Sequence, residues 1–110
     1  MQLATRCYRM TQSFPASEIY GLTSQLCRAA VSVPANIAEG YGRESTGSFV
    51  QFLRVAQGSL KELETHILIS QNVDLLNLET ASEALGECDR VGIMLRKLIR
   101  ALQAKAAAET

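Results

Sequence analysis

A chain of 110 residues that is 47% hydrophobic, 20% charged and formally neutral is one domain's worth, able to bury roughly two thirds of its unfolded surface around a single core. With three Phe, three Tyr and no Trp, that core must be aliphatic and alanine-rich, which favours helices. No apolar run approaches the roughly 18 residues that span a bilayer, and no leader pattern opens the chain, so a soluble, cytoplasmic protein with no membrane partner is expected.

In chain order, Leu3, Cys7 and Met10 step as one face of a short first helix, and "SFPAS" at 13–17 ends it. In the second segment Ile19, Leu22, Leu26, Ala30, Val33, Ile37 and Tyr41 recur at helical spacing and predict one long helix with a shared apolar face. Pro34 lies inside it, where its ring removes the hydrogen bond to the Ala30 carbonyl and should bend the axis. "GRESTG" at 42–47 is the next break: Gly40 and Gly42 offer the left-handed conformation that ends a helix, and Ser45 or Thr46 can cap the next one. Phe49, Phe52, Leu53, Ala56, Leu60, Leu63 and Ile67 then mark the core face of a third helix. After "QNVDLLN", Asn77 can cap a fourth, whose core positions are Ala81, Ala84, Leu85, Cys88, Val91, Leu95, Leu98, Ile99 and Leu102. No period-two alternation predicts a strand. Connections this short force antiparallel neighbours, so the expected fold is all-α: a single up-down-up-down four-helix bundle over residues 1–110.

Chemistry-bearing patterns are sparse. Gly42 to Gly47 has the step of a phosphate-gripping Walker loop, but Ser48 and Phe49 follow where Lys and a hydroxyl residue are needed, and no strand precedes it. Cys7, Cys27 and Cys88 lack any Cys-x-x-Cys spacing and predict buried thiols rather than disulfides or a zinc site. His66, the sole histidine, sits with Ser59 and Glu62 on one side of the third helix, an ordinary half-exposed surface. No catalytic residue, metal ligand or cofactor is expected, and the protein is read as a non-enzyme.

Charge is unevenly laid out. Residues 1–43 carry four basic and two acidic side chains, residues 44–89 two and eight, and residues 90–110 five and one. On the fourth helix Arg90, Arg96, Lys97, Arg100 and Lys105 fall on the half opposite the core. They either solubilise the helix or track a phosphate backbone, and Arg90, Arg96, Lys97 and Arg100 are the candidate nucleic-acid contacts. On the second helix Arg28, Ser32, Asn36, Glu39 and Arg43 form a polar stripe, either a solvated face or part of an oligomer interface. Val50 and Leu68 on the third helix, and Ile93 and Met94 on the fourth, fall outside the core arcs. Apolar stripes of that kind mark a partner surface, so self-association is expected.

The run "GLTSQLCRAAVSVPANIAEGYGRESTGSFVQFLRVAQGSLKELETHILIS", residues 21–70, closely resembles the four-helix-bundle family of 23S rRNA intervening-sequence proteins. Its most specific words are "RAAVSVPANIAEGYGR" at 28–43 and "GSLKELET" at 58–65, with weaker similarity from Thr11 to Leu102. The resemblance implies a non-enzymatic bundle assembled as a ring of five, named for genes inside intervening sequences of bacterial 23S ribosomal RNA genes. A more distant relative, the accessory protein of diversity-generating retroelements, forms a similar ring and contacts a reverse transcriptase and nucleic acid. The chain departs from the family pattern at Cys27, where a second basic residue is common, and at Ser48, where an acid often completes the capping box begun at Ser45. It also starts late relative to the family's first helix. The expected function is a homo-oligomeric scaffold or adaptor associated with RNA or a ribonucleoprotein. A protein-only module serving a nucleic-acid enzyme is the alternative.

Overall fold

The computed structural model describes residues 2–109 and is all-α, with four helices and no strand among the described residues. Met1 and Thr110, included in the domain read from the sequence, lie outside the described residues. The helices are α1 (Gln2–Thr11), α2 (Ser24–Tyr41), α3 (Thr46–Asn72) and α4 (Leu78–Ala108). α2 packs along α3, α3 along α4, and α1 against both α2 and α4. The pairings run antiparallel: Thr11 meets Cys27, Ser32 meets Ser59, and Arg6 reaches Glu83 and Glu87.

The core follows the apolar periodicity closely. Leu3, Cys7 and Met10 of α1, Leu26, Ala30 and Val33 of α2, Leu53 to Ile67 of α3 at helical spacing, and Ala81, Ala84, Cys88, Leu95 and Ile99 of α4 form one buried cluster. Ser45 caps α3 by accepting from the Ser48 amide at 3.1 Å, and Asn77 caps α4 by accepting from the Thr80 amide at 2.7 Å.

Three expectations need correction. The second apolar segment is not one helix: Ala16–Glu18 forms a 3₁₀ turn and Ile19–Thr23 a wide π-type turn, with Gly21 at φ −106°, ψ −115°. The Glu18 carboxylate accepts from the Leu22 amide across that break, and Ile19 and Tyr41, at the two ends of the segment, are exposed. α2 itself continues uninterrupted through Pro34. Neither Gly40 nor Gly42 takes the left-handed conformation, because no described glycine has positive φ. Gly40 serves close approach instead. A Cβ there would stand 2.8 Å from Phe49 Cδ1 and 2.9 Å from Phe52 Cβ, so α3 lies directly against the α2 backbone. Around this contact the Tyr41 ring meets Phe49 edge-on at 6.1 Å, and Arg43 stacks over Phe52 at 4.7 Å while donating to Glu39 at 3.1 Å. Val50, finally, is not off-core; it is half-buried against the core cluster, one turn before Leu53 on the same helix.

The Gly40→Ala variant is expected to lose about 1–2 kcal/mol, since overpacking of roughly 1–3 kcal/mol outweighs a helix-propensity gain of up to about 1 kcal/mol. Gly58→Ala, whose new Cβ meets nothing within 4 Å, should gain about 0.5–1 kcal/mol. Urea unfolding of the two variants checks the opposite signs.

Candidate functional site

Antiparallel packing sorts the charges lengthwise along a molecule 53 Å long. The C-terminal half of α3 lies beside the N-terminal half of α4, so Glu62, Glu64, Glu79, Glu83, Glu87 and Asp89 gather toward one end. Arg54, Arg96, Lys97, Arg100 and Lys105 gather toward the other. Arg90, Arg96, Lys97 and Arg100 are all exposed, and none forms an ion pair among the described residues. They do not make a single stripe. Arg90 borders the groove between α1 and α4 with Gln2, Glu87 and Met94. Arg96 turns the other way, into a cleft of about 420 Å³ between α3 and α4.

Two cations missed by sequence reasoning, Arg54 and Lys61 of α3, line that same cleft. Their signal was masked because residues 44–89 are acidic on balance. Gly58 of α3 and Gly92 of α4 also border the cleft, and side chains missing from facing helices leave the space open.

The polar stripe of α2 separates into parts. Ser32 and Asn36 are half-buried in the seam with α3: the Ser32 and Ser59 hydroxyls share a hydrogen bond at 2.7 Å, and Asn36 Nδ2 donates to the Ser32 carbonyl at 2.8 Å. Their polar atoms hold this subunit together. Glu39 and Arg43 pair with each other at the α2–α3 corner. Arg28 is exposed beside a shallow groove between α1 and α2 that also shows Tyr8, Tyr20 and Val31. Leu68, Ile93 and Met94 are exposed as expected. Leu68 does not join the other two, because α3 meets Gly92 at Leu60 and Leu68 lies about 12 Å further along the helix from there.

α1 is fastened by a charged contact. Arg6 Nε donates to Glu87 Oε2 at 2.6 Å, and that hydrogen bond is the main reason the Arg6 guanidinium is held above its ordinary value. Burial pushes the Cys7 thiol up to about 12 from an ordinary 9.0, helped by neighbouring Cys27 and Glu87. Cys88 is likewise raised to about 12, by burial and then by Cys7. Thiols held so high are protonated and poor nucleophiles. His66 is half-buried, with its ring nitrogens covered and without a hydrogen-bond partner among the protein groups, and Glu62 Oε1 is 3.6 Å from Nε2. No group of three or more His, Cys, Asp or Glu suited to a metal occurs among the described residues, and none of their helices is long and apolar enough to cross a membrane.

Residues 1–97 match the protein family described as 23S rRNA-intervening sequence protein. No curated protein matches the chain. Among solved structures, a protein of unknown function from the S23 ribosomal protein family of Bacteroides thetaiotaomicron is similar, with a TM-score of 0.80 and 19% sequence identity over 89% of this chain and 92% of that one. At that identity the likeness concerns the fold.

The buried thiols predict an alkaline response. Between pH 9 and about 12 the unfolded chain releases thiol protons that folded Cys7 and Cys88 retain, so the unfolded state binds fewer protons and stability falls as pH rises. Urea midpoints measured at pH 8, 10 and 11 should drop more steeply for the wild type than for the Cys7→Ala/Cys88→Ala variant.

Proposed function

This chain belongs to the 23S rRNA-intervening sequence protein family, and from that premise we propose that it is a non-enzymatic, cytoplasmic scaffold that associates with itself and holds RNA or a ribonucleoprotein. The observation that carries the RNA part is the charge layout: Arg96, Lys97 and Arg100 are exposed and free of acid partners at the end of the bundle away from most of the acids. A concentrated field of one sign attracts a polyanion even when the net charge is zero. Self-association is supported by the large apolar side chains left exposed, including Tyr20, Ile93 and Met94. A ring of five is the assembly that the family resemblance implies.

A protein-only adaptor, such as an accessory subunit of a nucleic-acid enzyme, is the second reading. The groove between α1 and α2, which shows Tyr8, Tyr20 and Val31 beside Arg28, favours it, because aromatic residues and Arg are the side chains enriched at protein interfaces.

Light scattering across a concentration series should give a mass of several subunits, lowered by Ile93→Asp/Met94→Asp; a monomer at every concentration would sink the scaffold. The Arg96→Glu/Lys97→Glu/Arg100→Glu variant should bind RNA more weakly, and the slope of log affinity against log salt should fall by about 2, as expected for three lost phosphate contacts on a single strand. Unchanged RNA retention by this variant would favour the protein-only reading.

A further inference from the structure

The cleft between α3 and α4 has the construction of an anion site. Gly58 and Gly92 stand on facing helices, and both lie inside the long helical runs Thr46–Asn72 and Leu78–Ala108, where glycine costs roughly 0.5–1 kcal/mol relative to alanine. A Cβ on Gly58 would meet nothing within 4 Å, and one on Gly92 would reach only the flexible end of Leu60 at 3.4 Å and Arg96 Nη1 at 3.7 Å. Packing therefore does not demand a glycine at position 58; the missing side chain leaves room.

The charges around that room are ordered. Arg54 lies one turn before Gly58 and Arg96 one turn after Gly92, and because the helices run antiparallel both residues stand on the same side of the glycines, each with its side chain lining the cleft. Arg96 folds back over Gly92, and neither arginine has a carboxylate partner among the described residues. At the other end Lys61 is engaged by Glu64 at 3.7 Å, and Asp89 lies nearby. The cleft is thus cationic where the two arginines line it, while the Lys61–Glu64 pair together with Asp89 leaves the other end one charge negative. Arg100 stands one further turn along α4, about 6 Å beyond Arg96, in line for a second charge on the same ligand.

We propose that this cleft seats one phosphodiester of an RNA strand lying along the α3–α4 groove, with Arg54 and Arg96 donating to its non-bridging oxygens. The open position at Gly58 admits the phosphate and the adjoining sugar, with Arg96 folded over Gly92 on the opposite wall. Arg54 is a binding residue in this arrangement, and Asp89 limits how far the strand enters. The proposal rests on the RNA reading above and adds a built seat to a general basic face.

Gly58→Met tests it, because this variant fills the cleft, keeps every charge and introduces no clash at Cβ. Binding is followed by fluorescence anisotropy of a labelled short single-stranded oligouridylate, with inorganic pyrophosphate as competitor. Gly58→Met should melt at or above the wild-type temperature yet bind about tenfold more weakly, the loss expected of one charge-assisted seat. Arg54→Gln/Arg96→Gln should lose at least as much, Asp89→Asn should bind more tightly, and pyrophosphate should displace the strand from the wild type. Wild-type affinity in Gly58→Met, together with loss of binding in the triple charge reversal, overturns the seat and leaves the RNA reading standing. No binding by the wild type at any salt overturns both. Binding of pyrophosphate without the oligonucleotide assigns the cleft to free phosphates and overturns the RNA seat.

Discussion

The fold turns on the contact between the Gly40 backbone and the Phe49 and Phe52 side chains. With no Cβ on Gly40, the Phe49 ring and the Phe52 Cβ of α3 sit against α2 at distances that a methyl group would forbid. That closeness sets the register of α2 against α3, the two helices in most extensive contact. With the register set, Ser32 meets Ser59 further along the seam, and Leu53, Ala56 and Leu60 turn into the core. Tyr41 and Arg43 reinforce the corner by an edge-on ring contact and a cation over a ring face. The stretch "GRESTG", whose glycine spacing invites comparison with a phosphate loop, is in fact the corner of a helical hairpin.

The rest of the bundle is less evenly supported. α1 spans 10 residues against 31 in α4, so it covers only a fraction of its neighbour. Buried Leu3, Cys7 and Met10 and the Arg6–Glu87 hydrogen bond hold it in place. A partly buried, charge-assisted contact of that kind contributes more than an exposed pair such as Glu39–Arg43, where water competes for both partners. The result is an elongated subunit with a radius of gyration of 15.6 Å, against about 13 Å for a compact domain of this length. Elongation leaves long helix flanks bare, and exposed Ile93 and Met94 belong to one of them.

Electrostatics follow from topology. An antiparallel α3–α4 pair folds an acidic middle segment back on itself, which places most of its carboxylates at one end and leaves the cations of late α4 with early α3 at the other. Neutral net charge therefore hides a polarised surface. The same fold-back brings Arg54 beside Arg96 along one cleft although they are far apart in the chain.

Helical periodicity by itself determined the class of fold, the four helices and most of the apolar core, because burial of an amphipathic face is a local pattern written every three or four residues, and residue type marked the caps at Ser45 and Asn77; buried Phe14, Ala29, Leu76, Ser70 and Glu87 fell outside that pattern. It also determined that Arg96, Lys97 and Arg100 would be exposed. Which polar residues face another helix was not legible: Ser32 and Asn36 look like a solvated stripe until Ser59 is placed opposite them. The close approach at Gly40 and the half-burial of Val50 were equally hidden, since each depends on packing against the rest of the bundle, and the break at Gly21, bridged locally by Glu18 and Leu22, carries no signal in the apolar periodicity. The candidate cleft was the least legible feature of all. Its two arginines and two glycines lie on separate helices, and only the antiparallel register of α3 against α4 brings them together.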